Sequence, residues 1–220
     1  MTDFAIYDMD RTITRTGTYT NWLLFWAVRR APWRLLLLPL AGINGLLFAL
    51  KIIDRRQVKQ LNQLVLMGRR VRRARLAPMV EAYADRVMVR NSLAKAVAQI
   101  AADKAEGRRV VLATASHRFY VEGIAKRLGV TDIVATGSVW DSDRLSWRLD
   151  GRNCYGADKR KMVEAWLAAD GAPRGHVRFY SDHNTDVPMF DWADEPVAVN
   201  AHPPLRRVAL ARHWRIEDWG

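Results

Sequence analysis

Five apolar runs of strand length punctuate this chain, and most of the sequence between them carries the three-to-four-residue apolar spacing of helices. The runs are Phe4 to Tyr7, Val110 to Ala113, Ile133 to Ala135, Val177 to Tyr180 and Val197 to Val199. Continuous runs containing β-branched residues suit strands buried on both faces of a parallel sheet. Helical patterns fall at about 77–105, 118–128, 158–169 and 204–212. The alternation predicts an α/β fold, a doubly wound Rossmann-like parallel sheet. Ligands of such sheets bind beyond the carboxyl ends of the strands, where Asp8, Asp10, Thr114 and Asp182 fall.

One region breaks the alternation. From Tyr19 to about Arg75 there is no strand signal, and the segment reads as helical and unusually apolar. WLLFWAV (22–28) is followed by Arg29 and Arg30, then by LLLLPLAGINGLLFAL (35–50) between Arg34 and Lys51. The second run has 16 uncharged residues, roughly 24 Å as a helix against a hydrocarbon core of about 30 Å. Pro39, Gly42, Asn44 and Gly45 interrupt it, which favours a bend or hairpin over one straight span. A basic tract follows: Arg55, Arg56, Lys59 and RRVRRAR from Arg69 to Arg75. Apolar helices flanked by arginines and by Trp22, Trp26 and Trp33 have the chemistry of a membrane-surface element. The other reading is a helix pair buried against itself beneath a solvated basic face.

Charge narrows the partners. Lys plus Arg number 35 against 23 Asp plus Glu, a formal net charge of +12, so an anionic partner is expected. Nucleic acid is not expected, because the aromatics near the basic tracts sit inside leucine runs that suit acyl chains or a core better than stacked bases. Nothing in the sequence points to a protein partner. Cys154 is the only cysteine, so no intrachain disulfide forms, and a reducing compartment fits. No basic n-region and long apolar stretch open the chain, so no cleavable signal peptide is expected.

Asp8 and Asp10, at the end of the first strand, share a face in an extended chain and repel unless a cation or a proton intervenes. Thr114, Lys159, Asp182 and Asp186 complete a set with the parts of phosphoryl transfer through a covalent intermediate. In that chemistry Asp8 attacks, Mg2+ offsets the crowded charge and Asp10 carries the proton.

DMDRT (8–12), the strand ending in Thr114, the lysine of CYGADK (154–159) and SDHNTD (181–186) resemble, in order, the four motifs of the haloacid dehalogenase superfamily. The local flavour is that of its phosphoserine phosphatase-like branch, subfamily IB, and of the phosphatidylglycerophosphatase C family, in which an arginine-flanked, leucine-rich segment also follows the first motif. The resemblance implies that Asp8 is the nucleophile and Asp10 the acid and base. Thr114 and Lys159 would hold phosphoryl oxygens; Asp8, the Asp10 carbonyl and Asp182 would ligate Mg2+, with Asp186 behind them. Residues 1–16 and 106–220 would form the core, and 17–105 an all-helical C1 cap bearing the membrane-interacting segment. The implied substrate is a phospholipid phosphomonoester, phosphatidylglycerophosphate, met on the anionic cytoplasmic face of the bacterial inner membrane in phosphatidylglycerol biosynthesis. A soluble phosphatase for a small ester such as phosphoserine is the alternative. Arg11 stands where glycine is commoner in the first motif, and Ser181 where glycine or aspartate is common in the fourth.

Overall fold

The computed structural model describes residues 1–220. An eight-stranded sheet runs β2 (Arg70–Arg72), β5 (Arg144–Asp150), β4 (Asp132–Asp141), β3 (Arg109–His117), β1 (Thr2–Tyr7), β6 (Arg174–Ser181), β7 (Glu195–Val199), β8 (Arg215–Glu217). From β4 through β8 every neighbouring pair is parallel; β5 and β2 continue the edge antiparallel. β1 is central, with β3 on one side and β6 on the other, so the strand order reverses at its carboxyl end. That reversal opens the crevice in which such sheets bind ligands.

Alternation along β1 divides its side chains between two cores. Ala5 and Tyr7 join a cluster with α1 (Thr18–Arg30), α4 (Arg73–Arg90), α5 (Ala94–Ala105) and α6 (Arg118–Arg127). Phe4 and Ile6 face the other side, with Val163 and Leu167 of α7 (Ala157–Asp170), Phe190 of the short α8 (Val187–Phe190) and Leu205 of α9 (Pro203–Ala211). Both faces are therefore covered, as the continuous apolar runs require.

The insert departs from expectation in four places. WLLFWAV lies in α1 and is mostly core: Trp22, Leu23, Phe25, Trp26 and Ala27 are buried, only Val28 at its end is exposed, and Trp22 stacks on Tyr120 of α6 at 5.4 Å. Of the three tryptophans expected at a membrane, only Trp33 is exposed. The arginine tract contains a strand, since Val71 of β2 pairs with Leu145 and Arg70 meets Asp141 at 3.1 Å. The insert is thus not all-helical. The 77–105 pattern is two helices, α4 and α5, broken at Asn91 to Leu93, where Ser92 bridges Thr14. α5, inside the span expected as cap, lies against the sheet: Asp103 accepts hydrogen bonds from the hydroxyls of Tyr7 and Tyr180 and is bonded to Arg178 at 2.7 Å. β8 had no signal in the apolar runs.

The second leucine-rich run is different. A 3-10 stretch (Pro32–Leu37) leads into α2 (Leu38–Ala49), which turns back onto α3 (Arg55–Met67). Asn44 bonds Asn62 across the pair at 2.9 Å, and Arg34 donates to the carbonyl of Val65 at 2.7 Å. Pro32–Ala49 is apolar and long enough to cross a membrane by length and composition, and none of it is buried. Leu36 is 82% exposed, Leu46 58% and Ile52 65%. The chain alone therefore does not bury this segment as a bundle core. WDSDRLSW (140–147) does form a hairpin between β4 and β5, but Trp140 sits opposite Leu145 and carries Arg73 over its ring at 4.1 Å, instead of pairing with Trp147.

Candidate active site

The site grows from the carboxyl end of β1. The Asp8 amide continues the strand pairing by donating to the Tyr180 carbonyl at 2.9 Å, and the chain then folds tightly, with the amides of Ile13 and Thr14 on the Met9 carbonyl. This turn sends the two acids to different partners. Asp8 accepts from Lys159 Nζ at 2.8 Å. Asp10 Oδ1 accepts from the Thr18 amide (2.8 Å) and hydroxyl (2.7 Å) at the start of α1, and Oδ2 accepts from Ser116 Oγ at 2.9 Å. Asp10 is thereby held by neutral donors, while Asp8 faces the lysine.

Lys159 projects from the first turn of α7 and is fully enclosed, bonded also to Asp186 at 2.5 Å. Burial opposes its charge, but Asp186 and Asp8 outweigh burial and hold it above the ordinary lysine range. Asp186 Oδ2 accepts a second bond, from Ser181 Oγ at 2.7 Å, so Ser181 is a working donor. Thr114 is fully buried in β3 and accepts from the Ser116 amide at 3.1 Å. Asp8, Asp10, Thr114, Lys159, Asp182 and Asp186 all line one cleft of about 360 Å³. The helix pair contributes Arg55 and Lys59 to its wall. His183 lies at the edge, stacked on His202 at 4.2 Å; His117 is buried away from the cleft against Ser138.

Residues 5–191 match the haloacid dehalogenase-like hydrolase family. The chain belongs to that family. Among curated relatives, a probable phosphatase of Mycobacterium tuberculosis is 34% identical over 123 residues, 56% of this chain and 42% of the relative. A phosphoserine phosphatase of the same organism is 32% identical over 113 residues, 51% of this chain and 37% of the relative. The matched stretch is thus well under half the length of either relative. A solved structure of a protein of unknown function from Bordetella pertussis superposes over the full length of both chains with a TM-score of 0.91 at 24% identity. A phospho-aspartyl intermediate analogue of phosphoserine phosphatase gives 0.66 at 15%, covering 100% of this chain and 94% of its own. These likenesses extend to the fold, including the sheet that carries the cleft.

The acids of this hydrolase carry more negative charge than Lys159 offsets. Burial, then repulsion from Asp186, Asp182 and Asp10, pushes Asp8 up to about 8 although Lys159 pulls it down. Burial likewise raises Asp182 to about 7, with Asp186 adding to the rise. Asp186 Oδ1 is buried without a hydrogen-bond partner. An all-oxygen donor set with surplus negative charge fits a hard divalent cation such as Mg2+. Asp8, Asp182 and the Asp10 carbonyl would hold it.

Several groups at the cleft had no sequence signal. Thr18 and Ser116 fix Asp10, and Lys59, mid-helix in α3, reaches across to donate to the Ala115 carbonyl at 2.6 Å and to Asn153 Oδ1 at 2.9 Å. Burial, reinforced by Arg55 and opposed by Asp10, pushes Lys59 down to about 7 from a normal value near 10.5. The sign follows: between those values the unfolded chain holds a proton that the folded one lacks, so this group makes stability rise with pH. In urea melts the stability of wild type minus that of Lys59→Met is expected to grow between pH 7 and pH 9.5. A flat difference would show that Lys59 titrates normally.

Arg11 adopts a left-handed backbone with φ 64°, a conformation that disfavours side chains by about 1–2 kcal/mol. Its carbonyl is held by Asn200 Nδ2 at 3.1 Å.

Proposed function

We propose that this protein is a Mg2+-dependent phosphomonoester hydrolase that works through an aspartyl-phosphate on Asp8. Its substrate is phosphatidylglycerophosphate, hydrolysed to phosphatidylglycerol at the cytoplasmic face of the bacterial inner membrane. The observation that carries the reading is the division of labour between the paired acids: Asp8 lies 2.8 Å from Lys159, whereas three neutral donor groups from Thr18 and Ser116 aim Asp10 elsewhere.

In the first step Asp8 Oδ forms a bond to phosphorus while the bond to the leaving oxygen breaks, and Asp10 gives that oxygen its proton. In the second, Asp10 takes a proton from water, whose oxygen attacks phosphorus and releases phosphate and the Asp8 carboxylate. Lys159 and the Thr114 hydroxyl hold phosphoryl oxygens throughout. A bound Mg2+ supplies charge neutralisation to the phosphoryl oxygens and to Asp8. Two of the related proteins carry phosphatase names, which agrees with this reaction.

The lipid substrate is supported by the exposed segment. Its last highly exposed residue, Ile52, lies three positions before Arg55, which lines the cleft, so an apolar surface and the cleft wall adjoin in the chain. Arg29, Arg30 and Lys51 flank that surface with exposed cations suited to anionic headgroups. The sequence order of first motif, then arginine-flanked leucine segment, gives the likeness to phosphatidylglycerophosphatase C. Phosphate release from phosphatidylglycerophosphate and from phosphoserine, side by side in mixed micelles with Mg2+ or with EDTA, tests the reading. Metal-dependent release at least tenfold faster from the lipid is expected. Release from phosphoserine alone would keep the chemistry and overturn the substrate.

A further inference from the structure

In the DMDRT turn, Arg11 has the backbone that glycine adopts most readily, with φ 64°. The turn is fixed from the far end of the chain. Asn200 bonds the Arg11 carbonyl through its amide nitrogen and accepts from the Trp219 amide at 2.8 Å, and the Asn200 amide donates to the Glu217 carbonyl at 2.9 Å. The side chain held there is exposed and has no carboxylate within ion-pair distance.

Arg11 lines two spaces at once. One is the catalytic cleft; the other is an adjoining groove of about 640 Å³ that also meets Asp182. Arg15 and Arg206 line the groove, and neither makes an ion pair. Of its other acids, Glu217 is paired with Arg215 and accepts from Trp219 Nε1, whereas the Asp218 carboxylate accepts only from the Gly220 amide. Asp182 belongs to the catalytic cluster. Three unpaired guanidinium groups against the one unpaired carboxylate of Asp218 leave the groove cationic, and Arg11 carries that charge to the cleft that holds Asp8.

We propose that Arg11, with Arg15 and Arg206 behind it, forms a subsite for a second anionic group of the phosphodiester class on the leaving alcohol. The subsite deepens the proposed function and rests on it, because that substrate carries a phosphodiester on the glycerol that bears its phosphomonoester. A guanidinium suits this task, since its fork donates two parallel bonds to a pair of phosphate oxygens.

The test uses the full-length protein with Mg2+ and two soluble esters. One is a glycerol phosphomonoester that also carries a phosphodiester, and the other is glycerol phosphate without it. Wild type is expected to favour the first by at least tenfold in kcat/KM, and Arg11→Gly to bring that ratio close to one, mainly through KM. Arg11→Lys should keep part of the preference. Glycine accepts the backbone, so the variant should unfold no more readily than wild type. A ratio unchanged in Arg11→Gly, or near one in wild type, overturns the subsite while phosphate release from both esters keeps the phosphatase reading. An Arg11 effect confined to vesicles overturns it too, assigning the cation to a neighbouring headgroup. No release from either ester overturns the underlying reading and the subsite with it.

Discussion

Asp8→Asn is expected to lower phosphate release by about 10⁴-fold or more and to abolish trapping of labelled phosphate on the protein. The amide keeps the size of the carboxylate and can still accept from Lys159, which lies at 2.8 Å in the wild type. It lacks the anionic oxygen that must form the bond to phosphorus. Stability should move the other way. Burial and three neighbouring acids already push Asp8 up to about 8, so in metal-free protein the ionised form strains the fold above that pH. An acid raised on folding makes stability fall as pH climbs from the ordinary carboxylate range to the folded value. Metal-free Asp8→Asn should therefore lack that part of the decline and match or exceed wild type in thermal unfolding at pH 8. Turnover near the wild-type level would remove Asp8 as the nucleophile; lost turnover with lost folding would leave the loss without chemical meaning.

The sequence made the acids of the cleft readable as a group because a parallel sheet gathers its strand ends. Asp8, Thr114 and Asp182 each follow an apolar run, and three adjacent parallel strands, β3, β1 and β6, bring those ends into one crevice. Lys159 was readable only by its order in the chain, since its DKRK surroundings resemble any solvated helix start. The groups that orient Asp10 were not readable, because Thr18 and Ser116 lie 98 positions apart and meet only through the packing of α1 on β3 and α6. Lys59 was hidden for the same reason: in a helix that opens with Arg55 and Arg56, nothing local marks the one cation that turns inward.

The two leucine-rich runs show a different limit. WLLFWAV and the run at 35–50 are alike in composition, yet the first is core and the second is exposed. Neither carries a strong one-sided apolar stripe, so periodicity could not separate them. What separates them is the neighbour each finds. Trp22 meets Tyr83 of α4 and Tyr120 of α6, whereas α2 has only α3 and the adjoining 3-10 stretch to lie on. The strand β2 was concealed by its arginines, which point outward while Val71 alone turns in. Three residues are too few for an alternating pattern to stand out.

Replacing Leu36, Ile43, Leu46 and Ile52 together by Gln is expected to lower partition onto anionic phospholipid vesicles by at least 100-fold, measured by co-sedimentation. Full burial of one such side chain is worth about 1.5–3 kcal/mol. Four that entered the acyl region to only half that extent would still contribute about 3–6 kcal/mol, and each 1.4 kcal/mol is about tenfold. The fold should tolerate the change. The four residues are between 51% and 82% exposed, and surface substitutions away from special features shift stability by about 0.5 kcal/mol or less. Salt separates the two contributions to binding. Exposed charges around the segment, Arg29, Arg30 and Lys51, act over a screening length of about 8 Å at physiological ionic strength. Raising salt should weaken wild-type binding by the electrostatic share and leave the apolar share, while the fourfold variant should lose what remains. Unchanged partition of the variant would mean that the apolar segment does not enter the bilayer. Its exposure would then have to be explained by another chain that covers it, because a surface with so many adjoining leucines and isoleucines is not what a free monomer ordinarily presents to water.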